Sequence, residues 1–335
     1  MNSDELWRSL ENETPGNEGE TKLRDASPAS LSRVLLAVEN PLRSRILFVE
    51  IPPDISDPLQ AKTRGLTISS VKFGNPQRRW LKFVCNDPGF NQVFSMFSDE
   101  LIRLAEKADP LSLVKQIEMV VKEIIIFFSE ARDPILSLKE QQGLFAELHF
   151  LKEYLFPHFE NDLCGAIKSW MGPLGAIHDF HIGNGLSVEV KSYSANREKR
   201  VIKISRIEQL ELLESSCLLL YATEVVTSNS SGKSLNSSVE EIEFILKSKK
   251  SDAYHRFKER LGKYGYSRVF REAYDSYLFT ITAESLFEVT SSFPRIQKAH
   301  LAEAIGNVQY SLDIDQCCSF SREFEIGRAS CRERV

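Results

Sequence analysis

Two carboxylates and one ammonium stand at a spacing suited to metal-assisted hydrolysis. Within Trp170–Ser192, the triplet Gly183-Asn184-Gly185 lies between two apolar runs, the pattern of a β-hairpin. With that triplet as the loop, Asp179 and Glu189 are equidistant from Asn184 and fall opposite each other. Lys191 follows Glu189 by two residues and shares its face of the strand, whereas Leu186, Val188 and Val190 point the other way, into a core. Like carboxylates across a strand pair repel. A divalent cation between them removes that cost and gives the arrangement a use. Phosphodiester hydrolysis needs an attacking hydroxide and stabilisation of charge on the phosphate, and Mg²⁺ held by carboxylates and water supplies both. Asp179 and Glu189 are the first ligands expected, with the backbone carbonyl of Val190 as a further oxygen. Lys191 is placed to orient the water or counter the developing charge.

These residues need elements to position them. Leu136–Tyr154 has the period of a long helix, with Leu144, Leu148, Leu151 and Leu155 in one stripe. Glu147 shares the face of that stripe, so it is either a structural carboxylate or a third acid reaching in from the helix. After the hairpin, Glu198–Ile204 suits a third strand, and Ser205 can cap a helix carrying Arg206 and Gln209. Ser216–Val226 is nearly all apolar, as expected of a strand buried on both faces.

Helix, three strands, helix and strand, with Glu147, Asp179 and Glu189-Val190-Lys191 in that order, resemble the PD-(D/E)XK nuclease superfamily over roughly Leu136–Val226. More narrowly, Gly143–Leu148, Trp170–Pro173, His178–Phe180, Val188–Ser192, Ile204–Leu210 and Phe293–Ile296 resemble a bacterial family of PD-(D/E)XK proteins of undetermined function. Members are often found beside restriction-modification and phage-defence genes. The resemblance implies an α/β fold with a restriction-endonuclease-like αβββαβ core, a mixed sheet flanked by helices, preceded by an N-terminal α+β domain. It also implies a metal site at Asp179, Glu189 and Lys191. His178 stands where the superfamily motif often has proline. His178 and His181 read as packing residues, and Trp170 as a core or loop anchor.

Lys191, Arg197, Lys199, Arg200, Lys203 and Arg206 stand against a single acid, Glu198. Beside a metal site this is a phosphate-backbone track; an ordinary exposed strand pair is the plain alternative. Gln209, one turn after Arg206, is a further candidate for the same cleft. The basic and aromatic run Lys247–Arg271 is a second nucleic-acid surface or an amphipathic helix pair with a basic outer face.

The chain of 335 residues carries a net charge of −5, so nucleic-acid binding must come from a local patch. Residues 1–30 read as a short helix at most and a loose linker, 31–132 as the N-terminal domain, and 133–314 as the nuclease-like domain with C-terminal helical and strand additions. Residues 325–335 look like a translated sequencing adapter, a non-native read-through tail. No apolar run approaches the roughly 20 residues of a membrane helix. The N-terminus lacks the segments of a secretory signal, and the cysteines form no Cys-x-x-Cys pair, which points to reduced thiols in a bacterial cytoplasm. The expected function is a Mg²⁺-dependent DNA endonuclease, with Mn²⁺ as a substitute, in restriction-modification or phage defence. RNA stays open as a substrate. A methyltransferase or other defence subunit is an expected partner, and two-strand cutting would call for a homodimer. The other reading is a catalytically inactive nuclease fold that binds nucleic acid or serves as a scaffold subunit.

Overall fold

In a computed structural model the chain divides into two compact units, residues 1–134 with 267–270, and 135–266 with 271–335. The structure describes residues 3–13, 21–28, 30–40, 43–55, 59–75, 77–128, 135–160, 162–183, 185–194, 199–212, 217–248 and 252–323. The expected read-through tail, 325–335, lies outside them.

The first unit is α1 (Ser3–Glu13), six strands and two long helices. The strands are β1 (Thr21–Asp25), β2 (Val34–Glu39), β3 (Ser44–Ile51), β4 (Ala61–Lys62), β5 (Leu66–Val71) and β6 (Arg79–Cys85), in the antiparallel order β1-β2-β3-β6-β5-β4. The helices are α2 (Asn91–Lys107) and α3 (Pro110–Ile124). Asp109, expected to separate them, caps α3 by accepting from the Leu111 and Ser112 amides, and Pro110 follows where its missing N–H costs nothing. Strand alternation sends Leu36, Leu47 and Phe83 to one face, where Phe83 meets Phe97 of α2 edge-on at 5.4 Å.

Within residues 1–30, expected to be a short helix at most and a loose linker, α1 is that helix and β1 occupies part of the linker, while 14–20 and 29 lie outside the described residues. The spacing of Leu6, Trp7 and Leu10 makes α1 amphipathic, and β1 extends the sheet. Trp7 is fully buried, donates from Nε1 to the Ala37 carbonyl at 3.3 Å and lies under the Arg45 guanidinium, 5.3 Å from its ring centroid. Two acids of α1, Asp4 and Glu11, accept from that same buried Arg45 at 2.7 and 2.8 Å. The polarity of the segment reflects a buried ion-pair network, which composition alone does not distinguish from a solvated linker.

The second unit opens with α4 (Leu138–Phe150), started by a capping box in which Ser137 and Glu140 satisfy each other's amides. The helix widens into a π turn over Leu151–Leu155, runs through α5 (Phe156–Phe159), and is followed by α6 (Leu163–Ser169). Its sheet contains β7 (Phe180–Ile182), β8 (Leu186–Tyr193), β10 (Cys217–Ser228), β11 (Lys233–Ser234) and β12 (Leu278–Val289), ordered β11-β12-β10-β8-β7. A last short strand, β14 (Ser321–Arg322), pairs with β12. β8 and β10 are parallel; β7 and β12 run antiparallel to their neighbours. On one face Phe150 of α4 packs against Phe180 and Tyr221, with ring centroids 5.2 and 4.9 Å apart.

The third strand of the expected αβββαβ core departs from this sheet. β9 (Val201–Ile204) pairs instead with β13 (Tyr310–Asp313) in a two-stranded ribbon. Its alternation is the reason: Ile202 and Ile204 pack into a cluster with Leu218, Leu220 and Phe287 on the other face of the sheet, while Val201 and Lys203 face solvent. The ribbon therefore lies over the sheet. The helix expected after Ser205 is a single 3-10 turn, Ile207–Leu210. Downstream come α7 (Leu235–Ser248), α8 (Ala253–Tyr264) and α9 (Arg271–Asp275). Among the described residues no helix is long and apolar enough to cross a membrane.

Replacing Trp7 by alanine should destabilise the first unit by about 3–5 kcal/mol, the usual cost of emptying a buried aromatic site. Urea unfolding followed by near-ultraviolet circular dichroism measures this; an unchanged midpoint would mean that α1 contributes nothing to the unit.

Candidate active site

The hairpin sets the site. β7 and β8 pair as Phe180↔Val188, His181↔Ser187 and Ile182↔Leu186, a register whose next step faces Asp179 with Glu189. Gly185 takes a positive φ of 74°, the left-handed turn geometry that favours glycine. The Asp179 backbone is then gripped from the far side. Its carbonyl accepts from the Met171 and Gly172 amides at 2.7 and 2.9 Å, and a bridge between Trp170 and Phe180 continues the pairing. One carboxylate oxygen, Oδ2, accepts from the Val190 amide at 2.8 Å. Val190 thus meets Asp179 through its N–H, whereas the expectation from sequence concerned its carbonyl.

Glu189 is closed from solvent, on the sheet face carrying Leu220 and the cluster under the β9–β13 ribbon. Lys191 approaches it, with Nζ 2.6 Å from Oε1, but at an angle outside hydrogen-bond geometry, so both Glu189 oxygens lack a hydrogen-bond donor. Glu147 arrives from α4 and is also buried. Its Oε2 accepts from Trp170 Nε1 at 2.6 Å, and the Tyr264 hydroxyl of α8 hydrogen-bonds to it. Gly172 shows how closely the acids converge: a Cβ there would lie 2.9 Å from Asp179 Oδ1 and 3.3 Å from Glu147 Oε2. Only glycine leaves that space open.

Electrostatics follow from the crowding. Burial, then the neighbouring Asp179 charge, pushes the Glu189 carboxyl up to about 8 against the pull of Lys191. Burial, followed by the Asp179 charge, likewise raises Glu147 well above the carboxylate range, although Trp170 and Tyr264 hydrogen-bond to it. Asp179 is raised by burial and drawn back by Lys191, the Val190 amide and Arg206.

The basic track does not assemble as a unit. Arg197 lies outside the described residues. Arg200 is committed to Asp315, donating from Nε to Oδ1 at 2.6 Å and from its amide to Oδ2 at 3.1 Å. Lys199 lies 3.9 Å from Asp313, and Lys203 is exposed on the outer face of the ribbon. Gln209 folds back, its Oε1 accepting from the Ser205 and Arg206 amides at 3.0 and 3.3 Å, so it caps the 3-10 turn. Arg206 is the member that reaches the site: its charge favours ionised Asp179 and Glu189, and it is exposed.

Sequence reasoning missed the two donors that hold Glu147. Trp170, read as an anchor, is fully buried and spends its N–H on that carboxylate. Tyr264 belongs to the basic run, whose helix α8 packs beside the Gly172 turn; there Arg260 is buried and donates from Nη2 to the Lys168 carbonyl at 3.2 Å. A polar aromatic beside an acid in space has no spacing signature in sequence. His178 is buried with both ring nitrogens unpartnered, and burial and His181 lower it to about 4, so it is neutral.

Among the described residues no three His, Cys, Asp or Glu side chains already stand as a metal cage. The donor set nevertheless fits a hard cation. Mg²⁺ retains several waters and is commonly held by one or two carboxylates, and Glu189 presents two buried oxygens without donors beside Asp179. A mixed α/β unit with an acid-rich hairpin and a lysine two residues on defines a protein with a nuclease-like fold. The chain belongs to the family described as "Putative PD-(D/E)XK family member, (DUF4420)", whose model matches residues 3–315. Neither a curated protein nor a solved structure matches it.

The raised Glu189 carboxyl makes cation-free stability depend on pH. The folded state holds this proton more tightly than the unfolded state, whose value is near 4.5. Its stabilising contribution is complete below that pH and is lost as pH rises through about 8. Thermal melts in chelator should fall across this window, and Glu189→Gln should flatten the profile and raise the melting temperature at pH 8, by about 2–4 °C per kcal/mol relieved. Identical profiles for the two proteins would rule out this origin. Gly172→Ala should cost about 1–3 kcal/mol by overpacking and reduce thermal stabilisation by Mg²⁺; a variant with unchanged melting temperature and cation response would show that the two acids do not converge over Gly172.

Proposed function

We propose that the second unit is a divalent-cation-dependent nuclease that hydrolyses phosphodiester bonds of DNA. The observation carrying this reading is the convergence of Glu147, Asp179, Glu189 and Lys191 around one hairpin, with more buried carboxylate than Lys191 can neutralise. Asp179 and Glu189 would hold Mg²⁺, or Mn²⁺ in its place. Bound there, the cation supplies Lewis acidity and lowers the pKa of a water.

The chain's own residues do the rest. The Val190 amide fixes one Asp179 oxygen, leaving Oδ1 toward Glu147 and Gly172. Trp170 and Tyr264 hold Glu147 in one orientation, and its raised affinity for protons suits it to carry a proton on Oε1 or Oε2 near neutral pH. Lys191, whose Nζ lies 2.6 Å from Glu189 Oε1, would place its ammonium by a phosphate oxygen, where it offsets developing negative charge. Arg206, exposed beside the acids, would hold the neighbouring backbone phosphate. The restriction or phage-defence setting, with a methyltransferase or other subunit as partner, is supported by the resemblance of the motif set.

Purified protein should nick plasmid DNA with Mg²⁺ or Mn²⁺ and lose at least about 10²-fold of that rate on Asp179→Asn or Lys191→Ala. Its melting temperature should rise with Mg²⁺ in the parent and less in Asp179→Asn. Equal nicking by all three proteins would trace the activity to another source. Cation-independent DNA binding without cleavage would favour the scaffold reading.

A further inference from the structure

The first unit holds a concavity, about 510 Å³ in volume, on the face of its sheet opposite α2. Its floor is Leu35 and Trp80, part of a cluster with Ala37, Ile46 and Phe48, and Phe73 stacks on Trp80 with centroids 5.0 Å apart and planes at 19°. Trp80 is 2% exposed, yet its Nε1 has no acceptor. A buried indole N–H normally finds a partner, and one without is a donor waiting for an acceptor. Arg33 and Arg78 line the same pocket and remain partly exposed, at 43% and 40% of their side chains. Each has one carboxylate partner: Arg33 meets Asp25 at 2.7 Å, and Arg78 meets Glu50 at 3.4 Å. A guanidinium has five donors, so both retain capacity for an anion.

From the aromatic floor, the orphan indole N–H and the two arginines, we propose that this pocket binds a nucleotide, with its base against Phe73 and Trp80 and its phosphate at Arg33 and Arg78. The chemistry selects this class. Asp25, which also lines the pocket, and Glu50 balance the two arginine charges, so it is the unused guanidinium donors, not net charge, that favour a phosphate-bearing guest. A purely apolar guest would leave the indole N–H unanswered. A base offers a flat π face and ring acceptors, and aromatic stacking contributes about 1–3 kcal/mol per base. Arginine matches phosphate in a bidentate fork. The volume falls within the roughly 300–1,000 Å³ range of small-molecule sites. The site belongs to the first unit and does not depend on the hydrolytic reading of the second.

The test is titration of the full-length chain, in chelator, with each deoxynucleoside monophosphate, a nucleoside without phosphate, inorganic phosphate, a single-stranded oligonucleotide and a duplex, read by tryptophan fluorescence and calorimetry. Saturable binding of a nucleotide is expected, weakened about tenfold by Arg33→Ala with Arg78→Ala and about tenfold by Phe73→Ala, each with unchanged near-ultraviolet circular dichroism. Trp80→Phe keeps a ring in the floor and should lose affinity through the missing N–H alone. Saturation by monophosphates but not by oligonucleotide assigns a free nucleotide; competition by the single strand but not the duplex assigns an unstacked base of nucleic acid. No saturable binding up to about 5 mM, far beyond the roughly 1 μM–1 mM range of functional small-molecule sites, would overturn the proposal. So would phosphate binding as tightly as nucleotide, or equal affinity in the arginine and Phe73 variants.

Discussion

Three carboxylates held together against their mutual repulsion are the constraint on which the second unit depends. Bringing acids into a buried site costs free energy unless each is answered by a donor or a charge. The fold answers them unequally. Glu147 receives the Trp170 and Tyr264 donors, Asp179 receives a backbone amide, and Glu189 receives no well-angled donor, only the charges of Lys191 and Arg206. The residual cost falls on Glu189, which is also the most completely buried. A fold optimised for stability alone would place an apolar residue there, as it does at the strand neighbour Val188.

What makes the arrangement persist is that its supports are backbone and core rather than flexible side chains. The Asp179 carbonyl is held by two consecutive amides, and the Trp170 ring that serves Glu147 is wedged between Phe257 and Tyr264 of α8 at centroid distances of 6.0 and 6.5 Å. Breaking the site apart would therefore require unpacking α8 from the Gly172 turn. Rigid supports of this kind fix donor positions before any substrate arrives, the condition under which electrostatic stabilisation costs no reorganisation.

The legible parts of the sequence were those governed by local rules. Gly183–Gly185 sets the turn and hence the register, the Leu144 stripe sets α4, and the apolar run ending at Val226 sets the central strand β10. The parts that escaped depend on partners distant in the chain. Arg45 makes the polar N-terminal segment foldable by donating to Asp4 and Glu11, and nothing near those acids announces it. Trp170 and Tyr264 lie 23 residues after Glu147 and on a different helix, respectively, and meet it only once the unit has closed. The basic residues after Lys191 had the right composition for a phosphate track, but Arg200 found Asp315, more than a hundred residues away.

The departure of β9 from the sheet ties these observations together. Had Val201–Ile204 paired beside β7 or β8, its alternation would have presented Ile202 and Ile204 to the same layer as the hairpin's core residues. By crossing over with β13 it instead buries those isoleucines against Leu218 and Leu220, on the face that carries Glu189. Glu189 shares that face and is closed from water, which strengthens every charge acting on it. It also carries the chain directly into Ser205 and Arg206, and the Gln209 cap fixes that turn. The same crossover thus delivers Arg206, whose charge joins that of Lys191 in acting on Asp179 and Glu189. A strand lost from the expected sheet is, on this account, what positions the edge of the site.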